Sequence, residues 1–225
     1  MATEFDRYGE TYGDAVDSAI AFARQEHDFY IEAKARRLLE LALRHLGVGR
    51  PRALDVGCGV GLVDRHLSSA FELHGVDVSP AMVDRARAAN PEVEYAVSEE
   101  RSLPHEDGAF DLAFAVCVLH HVEPADRLSL LREMRRVVRP GGLVAVFEHN
   151  PLNPLTRRVV RNCAFDDGVE LIGRRELERL CRDAGLDVVG AEYLLFVPWR
   201  ADAVERRLRR LPFGAQYVVA GRPAP

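Results

Sequence analysis

Three glycines at alternate positions, Gly57, Gly59 and Gly61, stand just behind an acid in the stretch Asp55-Val56-Gly57-Cys58-Gly59-Val60-Gly61. Glycine lets a backbone turn tightly and come close to a ligand where a β-carbon would intrude. Main-chain N–H groups exposed where such a turn opens a helix favour an anion. A dinucleotide-binding loop of the form G-x-G-x-x-G would need glycine at position 62, which is Leu62, and no G-x-x-x-x-G-K loop occurs anywhere. About twenty residues on, as a nucleoside site of this kind expects, Asp77 closes Gly75-Val76-Asp77-Val78-Ser79. A carboxylate there can take both hydroxyls of a ribose. Further acids, Glu99 and Glu100, precede Arg101-Ser102-Leu103-Pro104, and two groups of proton-transfer residues follow: His120-His121 and Glu148-His149. Histidine titrates near neutrality and suits a general base.

The pattern D-x-G-x-G-x-G within Ala53 to Gly61 resembles the class I S-adenosylmethionine (SAM)-dependent methyltransferases, in the broad group with a type 11-like methyltransferase domain. The resemblance extends over roughly residues 50 to 150. It implies a loop that wraps the methionine part of SAM, with Asp55 at its amino group and Gly57, Cys58 and Gly59 around it. It implies Asp77 on the ribose, with Val78 beside it. The segment Ser98 to Asp111 resembles the family's adenine-binding stretch. Glu99 falls where the family usually has Asp to hold the adenine amino group, and Glu100 supplies the next main-chain amide. Ala115 and Cys117, on the strand before His120, are implied to pass the cofactor. Cys117 reads as lining rather than as a nucleophile, because no base is paired with it in sequence.

Methyl transfer from a sulfonium needs alignment of acceptor, methyl carbon and sulfur above all. A base is needed where the acceptor must lose a proton, as a hydroxyl does. His121 and His149, at the ends of two adjacent strands, are the expected bases, with His120, Glu148, Asn150 and His27 also within the candidate set. The implied reaction is methylation of a small molecule, a hydroxyl of a secondary metabolite, sugar or quinone-like compound. Two alternatives stay open. Arg157, Arg158 and Arg161, with Arg206, Arg207, Arg209 and Arg210, make local basic patches that would suit an RNA or other nucleic-acid methyltransferase. A SAM-binding protein without catalysis would carry the same loop.

These residues need strand ends to hold them. Short apolar runs alternate with amphipathic segments from Arg52 onward, which predicts strands at Ala53–Val56, Leu73–Val78, Val93–Val97, Phe110–Val118, Leu143–Phe147, Leu186–Leu195 and Ala215–Ala220. Helices are expected at Leu62–Ser69, at Pro80 to Asn90 with Ser79 as N-cap, at Pro124–Val138 before Pro140-Gly141-Gly142, and at Arg175–Ala184 before Gly185. The fold class is α/β: a Rossmann-like, doubly wound, mostly parallel seven-stranded sheet with helices on both faces. Residues 14 to 46 read as helical, giving an N-terminal helical cap over 1–46 and a SAM-binding domain over 47–225. A cap-like insertion at about 150–173 is longer than usual connections and is expected to cover the acceptor with residues 1 to 30; the alternative is a surface excursion with a short helix at Leu155–Asn162. Tyr8 and Tyr12 are expected to close over the cofactor.

Composition narrows the classes. Among 225 residues the formal net charge is −5, which disfavours a nucleic-acid partner held through phosphates. Cys58, Cys117, Cys163 and Cys181 show neither a CxxC pair nor zinc-ligand spacing, so neither a metal nor a disulfide framework is expected. Reduced thiols and the polar stretch Met1 to Asp14, unlike a secretory leader, predict a cytoplasmic setting. The longest apolar run, Ala113 to Leu119, is far below the ~20 residues that cross a bilayer, so no membrane insertion is expected. The oligomeric state is not legible.

Overall fold

The computed structural model describes residues 27–163, 166, 168–196 and 202–224. Residues 14 to 26 of the expected helix, Tyr8 and Tyr12 lie outside the described residues. Helix α1 spans His27–Leu46. Then come strands β1 (Arg52–Val56) and β2 (Glu72–Asp77), helix α2 (Pro80–Ala89), and strands β3 (Glu94–Val97) and β4 (Phe110–Val116). Helix α3 (Arg127–Val137), strand β5 (Val138–His149), and helices α4 (Pro154–Asn162) and α5 (Arg174–Asp183) follow. Strand β6 (Leu186–Leu194), helix α6 (Asp202–Leu208) and strand β7 (Gln216–Pro223) complete the order.

The strands form one seven-stranded sheet ordered β3-β2-β1-β4-β5-β7-β6. β1 to β5 run parallel, and β7 lies antiparallel to both β5 and β6. Strand order reverses between β1 and β4, so their carboxyl ends part there and leave the crevice in which such sheets take ligands. The central strands are buried on both faces, as near-continuous apolar runs require. On one face Leu130, Leu131 and Met134 of α3 and Leu177 and Cys181 of α5 pack on Leu54, Ala113, Ala115 and Val144. On the other, Ala35, Leu38, Leu41 and Ala42 of α1 and Val83 and Ala86 of α2 pack on Ala53, Leu73, Phe114 and Phe147.

Three expectations about elements need correction. The helix expected at Leu62–Ser69 is a single 3-10 turn at Asp64–His66 within irregular turns. Asp64 points inward, fully buried, and accepts the Tyr95 hydroxyl at 2.6 Å, so the segment is tethered across its own axis rather than free to coil. It therefore offers no regular helix N-terminus to an anion. Helix α3 starts at Arg127, later than Pro124, and Pro140-Gly141-Gly142 does not stop it. β5 already begins at Val138, opposite Phe110, and the Pro-Gly-Gly forms an irregularity before pairing resumes at Leu112 with Leu143. Gly142 is required there: a β-carbon would lie 2.5 Å from Val138 Cγ1 and 2.6 Å from the Asp111 carbonyl oxygen. Helix α6 was not expected. The N-cap at Ser79 is as expected, its side chain accepting the Met82 N–H with Pro80 at the first turn.

Among the described residues no helix is long and apolar enough to cross a membrane. The four cysteines are free thiols.

Candidate functional site

The loop after β1 is bent back onto β2, since the Gly57 and Cys58 N–H groups both donate to the Val76 carbonyl, at 2.8 and 3.0 Å. Gly57 has φ +76°, and a β-carbon there would strike the Val118 methyls at 2.6 and 2.8 Å. Gly59, at φ +54°, is different: a β-carbon would meet no heavy atom within 4 Å, so this glycine faces open space. Asp77 holds the loop in place. One carboxylate oxygen accepts the Gly59 N–H and the other the Ser79 N–H, each at 2.9 Å.

Asp55 is buried, and its Oδ1 has no hydrogen-bond partner among the described residues. Burial, then the neighbouring Asp64 and Asp77, push its carboxyl well above the ordinary range. Burial also lifts Asp64, to about 6, against the Tyr95 hydrogen bond. Lys34, buried on α1, opposes the rise at Asp55. An orphaned buried acceptor beside an open glycine face suits an ammonium-bearing ligand, because a donor placed there satisfies a group that is otherwise costly to bury. The residues present thus fit the amino-acid end of SAM. Behind the loop, Asn90 Nδ2 donates to the Gly61 carbonyl at 3.0 Å and to Tyr95 Oη at 3.1 Å. A β-carbon at Gly61, φ +74°, would overlap both Asn90 Nδ2 and Tyr95 Oη. Gly61→Ala is expected to cost about 2–4 kcal/mol of stability, combining left-handed strain with overpacking. Gly59→Ala carries the strain alone, about 1 kcal/mol, while its methyl enters the ligand space. Urea melts of the pair check this; equal losses in both would contradict the packing described.

The remaining cofactor candidates are placed less uniformly. Cys58 is buried, with its thiol pushed up by burial, and Val78 is half-buried beside Asp77. Glu99 and Glu100 are both exposed on the loop after β3, which Ser98 ties to the end of β2 through the Asp77 carbonyl at 2.9 Å. Ala115 is buried in the core cluster that also holds Val146 and Leu131, which leaves its main chain as the part that could meet a ligand. Cys117 follows β4 in a left-handed conformation, φ 58°. Its N–H donates to the Phe147 carbonyl at 2.8 Å, and its sulfur accepts Gln216 Nε2 at 3.3 Å. Such strain in a non-glycine residue tends to gather at functional sites.

The 3-10 turn Leu119–His121 continues from Val118, the residue pressed against Gly57. His120 is fully buried and its Nδ1 lies 2.6 Å from Glu148 Oε2, while Glu148 Oε1 accepts the Leu119 N–H at 2.7 Å. Asp166 Oδ1 lies 3.6 Å from His120 Nε2 and 3.3 Å from His121 Nε2. The His149 ring centroid is 5.1 Å from that of His120, and its Nδ1 is 3.3 Å from Gln216 Nε2. Burial alone would favour neutral His120, but Glu148 and Asp166 outweigh it and push the imidazolium up to about 10. Burial and the His120 charge pull His121 and His149 down to about 4. Those two rings are neutral at pH 7 and can accept a proton. Glu148 and Asp166 are both held below the ordinary range, burial being outweighed by the histidines.

The turn is fastened by Arg127, fully buried at the start of α3. Its guanidinium donates to the carbonyls of Leu119 at 3.1 Å, Val122 at 3.0 Å and Glu170 at 2.8 Å. Residues 150–156 are likewise fixed, not loose: Asn150 Nδ2 donates to the Gly214 carbonyl at 2.8 Å and Thr156 Oγ1 to that of Ala215 at 2.8 Å. Helix α4 matches the short helix expected in this segment.

The structure thus brings His121 and His149 together, as the strand ends implied, and adds His120, Glu148, Asp166 and Gln216. Lys34 and Arg127 were missed, yet each carries a readable signal. Lys34 lies on the apolar stripe Ile31, Ala35, Leu38, Leu41 and Ala42, and Arg127 on the stripe Leu130, Leu131, Met134 and Val137. A charge on a buried stripe has to be satisfied inside. Asp166 comes from a segment with no periodic signal. The lack of metal-ligand spacing in sequence did not reveal that His120, His121 and Asp166 offer ligand atoms within 4.8 Å of one another.

Residues 54–146 match the family described as a methyltransferase domain. Norajmaline N-methyltransferase of Rauvolfia serpentina is 30% identical over 139 residues, covering 55% of this chain and 47% of that protein. A malonyl-[acyl-carrier protein] O-methyltransferase of Pseudescherichia vulneris is 34% identical over 133 residues, covering 58% and 52%. The chain spans about half the length of the curated relatives it matches. A Thermotoga maritima structure described as a SAM-dependent methyltransferase, possible histamine N-methyltransferase, superposes with a TM-score of 0.68 at 21% identity, covering 97% of this chain and 98% of that one. That likeness shows the shared fold. The family match falls on the segment whose loop and strand ends build the cradle, so residues 54–146 are similar to a methyltransferase domain there.

Proposed function

We propose that the protein transfers the methyl group of SAM to a small-molecule acceptor, a hydroxyl of a secondary metabolite, sugar or quinone-like compound. One observation carries this reading: the glycine cradle and the histidine cluster adjoin, because Val118 both packs against Gly57 and leads into the turn that bears His120 and His121. Bound SAM supplies an electrophilic methyl on a positively charged sulfur. Asp55 accepts from the amino group, Asp77 from the ribose hydroxyls, and Glu99 from the adenine amino group, with the Glu100 amide beside the ring. The loop and the turn after β4 hold the two reactants in line, which is the main source of rate in a direct displacement. As the O–CH3 bond forms and the S–CH3 bond breaks, the hydroxyl proton passes to a neutral imidazole, His121 or His149.

Relatives named for methylating nitrogen in alkaloids and oxygen in a carrier-bound malonyl group leave the acceptor atom to experiment. A calorimetric titration with S-adenosylhomocysteine, followed by its release during turnover with a panel of phenols, quinols and sugars, tests the reading. No uptake of the product would end it. His121→Gln and His149→Gln are expected to lower turnover with a hydroxyl acceptor by about 100-fold in at least one case, with SAM affinity changed less than about threefold. Wild-type turnover in both variants would remove the base assignment.

A further inference from the structure

We propose that His120 Nε2, His121 Nε2 and a carboxylate oxygen of Asp166 bind one divalent first-row transition ion of the zinc class. The inference goes beyond the methyl-transfer reading and does not depend on it. Three observations carry it. First, the ligand atoms are spaced as a site requires. Two ligands ~2.0–2.1 Å from an ion at the tetrahedral angle stand about 3.4 Å apart; Asp166 Oδ1 is 3.3 Å from His121 Nε2 and 3.6 Å from His120 Nε2, and each of the three residues offers a ligand atom within 4.8 Å of the others. Second, His120 has the backing that metal-ligating histidines show. Its Nδ1 is held at 2.6 Å by buried Glu148 Oε2, which orients the ring and leaves Nε2 toward the other two ligands; a carboxylate–histidine–metal relay is built this way. Third, the set is rigid at the back and open at one side. Glu148 accepts the Leu119 N–H and Arg127 grips the Leu119 and Val122 carbonyls, whereas the His121 side chain is 18% exposed.

Two imidazole nitrogens and one carboxylate favour a transition ion over Mg²⁺ or Ca²⁺, which prefer all-oxygen sites. Three protein ligands leave a position for water or an acceptor oxygen. An ion there would lower the pKa of a bound hydroxyl and take His121 as a ligand, so that His149 alone remains as proton acceptor.

The test uses the full chain stripped with EDTA and titrated with Zn²⁺ alone by calorimetry, and with Co²⁺ followed by visible absorption. One ion per chain is expected. His121→Gln and Asp166→Asn should each weaken binding at least tenfold, and Glu148→Gln by ten- to a hundredfold through the ring it orients. A thermal melt in EDTA establishes that each variant folds. Should Asp166→Asn fail to fold, partly exposed His121 decides the matter. No saturable uptake overturns the proposal, and so does unchanged affinity in His121→Gln, which would place the ion elsewhere. Titration with S-adenosylhomocysteine on the same samples separates the two readings: uptake of the product without the ion sinks only the ion, and uptake of the ion without the product sinks only methyl transfer.

Discussion

Asp77→Ala is expected to weaken SAM binding by about 100-fold or more, close to 2.7 kcal/mol. Three roles end with one carboxylate. Its two oxygens accept the Gly59 and Ser79 N–H groups, each at 2.9 Å, and each is a charge-assisted bond of about 1.5–3 kcal/mol. The same oxygens have further lone pairs for the ribose hydroxyls. Without them the loop loses the anchor that keeps Gly59 facing open space. Asp77→Asn refines the reading, because its NH2 must then face one of those two N–H donors; it should fall between wild type and alanine. Calorimetry with S-adenosylhomocysteine measures both variants, and an affinity within threefold of wild type for the alanine variant would remove Asp77 from the cofactor site.

The second large effect lies on the acceptor side. Glu148→Ala is expected to destabilise the protein by about 3–5 kcal/mol, the usual result of removing one partner of a buried ion pair. Both oxygens are committed, one to His120 Nδ1 and the other to the Leu119 N–H, and the pair is fully buried. Alanine would leave an imidazole and a main-chain donor without acceptors, and a void beside β5. Glu148→Gln keeps an acceptor for Leu119 and fills the space, so its loss should be smaller. Urea unfolding of the three proteins decides; a loss below about 1 kcal/mol for alanine would mean that the pair does not hold the turn.

Much of this architecture was legible in the residues, for physical reasons. Buried parallel strands read as unbroken apolar runs, so β1 to β4 appeared within two residues of their bounds, whereas β5 begins at Val138, five residues before the expected Leu143. Ser79-Pro80 marks a helix start by chemistry that is local, and Gly185 a helix end in the same way. Asp64 broke the local rule: the Tyr95 hydroxyl that tethers it comes from a strand away in sequence, and a long-range hydrogen bond leaves no trace in a periodicity. Pro140-Gly141-Gly142 misled for a related reason, since a bulge inside a strand uses the same residues as a helix stop. At the site, Asp55, Gly57, Gly59 and Asp77 stood out because a tight loop constrains neighbours in sequence. Glu148 and the histidines stood out as strand-end residues, but their pairing did not. Asp166 reaches His120 and His121 only through the fold, and Lys34 and Arg127 were hidden by a reading that counted apolar positions and passed over the charges among them.

The antiparallel β7 has a consequence for how the chain reaches this state. It slots between β5 and β6, although it is made after both, and it brings Gln216 to Cys117 and His149. Until residues 216–223 leave the ribosome, β5 presents a long apolar flank with no neighbour, a template for pairing with another nascent chain. The nucleoside half, complete by Val116, has no such wait. Synthesis therefore leaves one open seam in the sheet until β7 is made, and slow translation or truncation before Gln216 should turn yield into aggregate rather than into a partly active product.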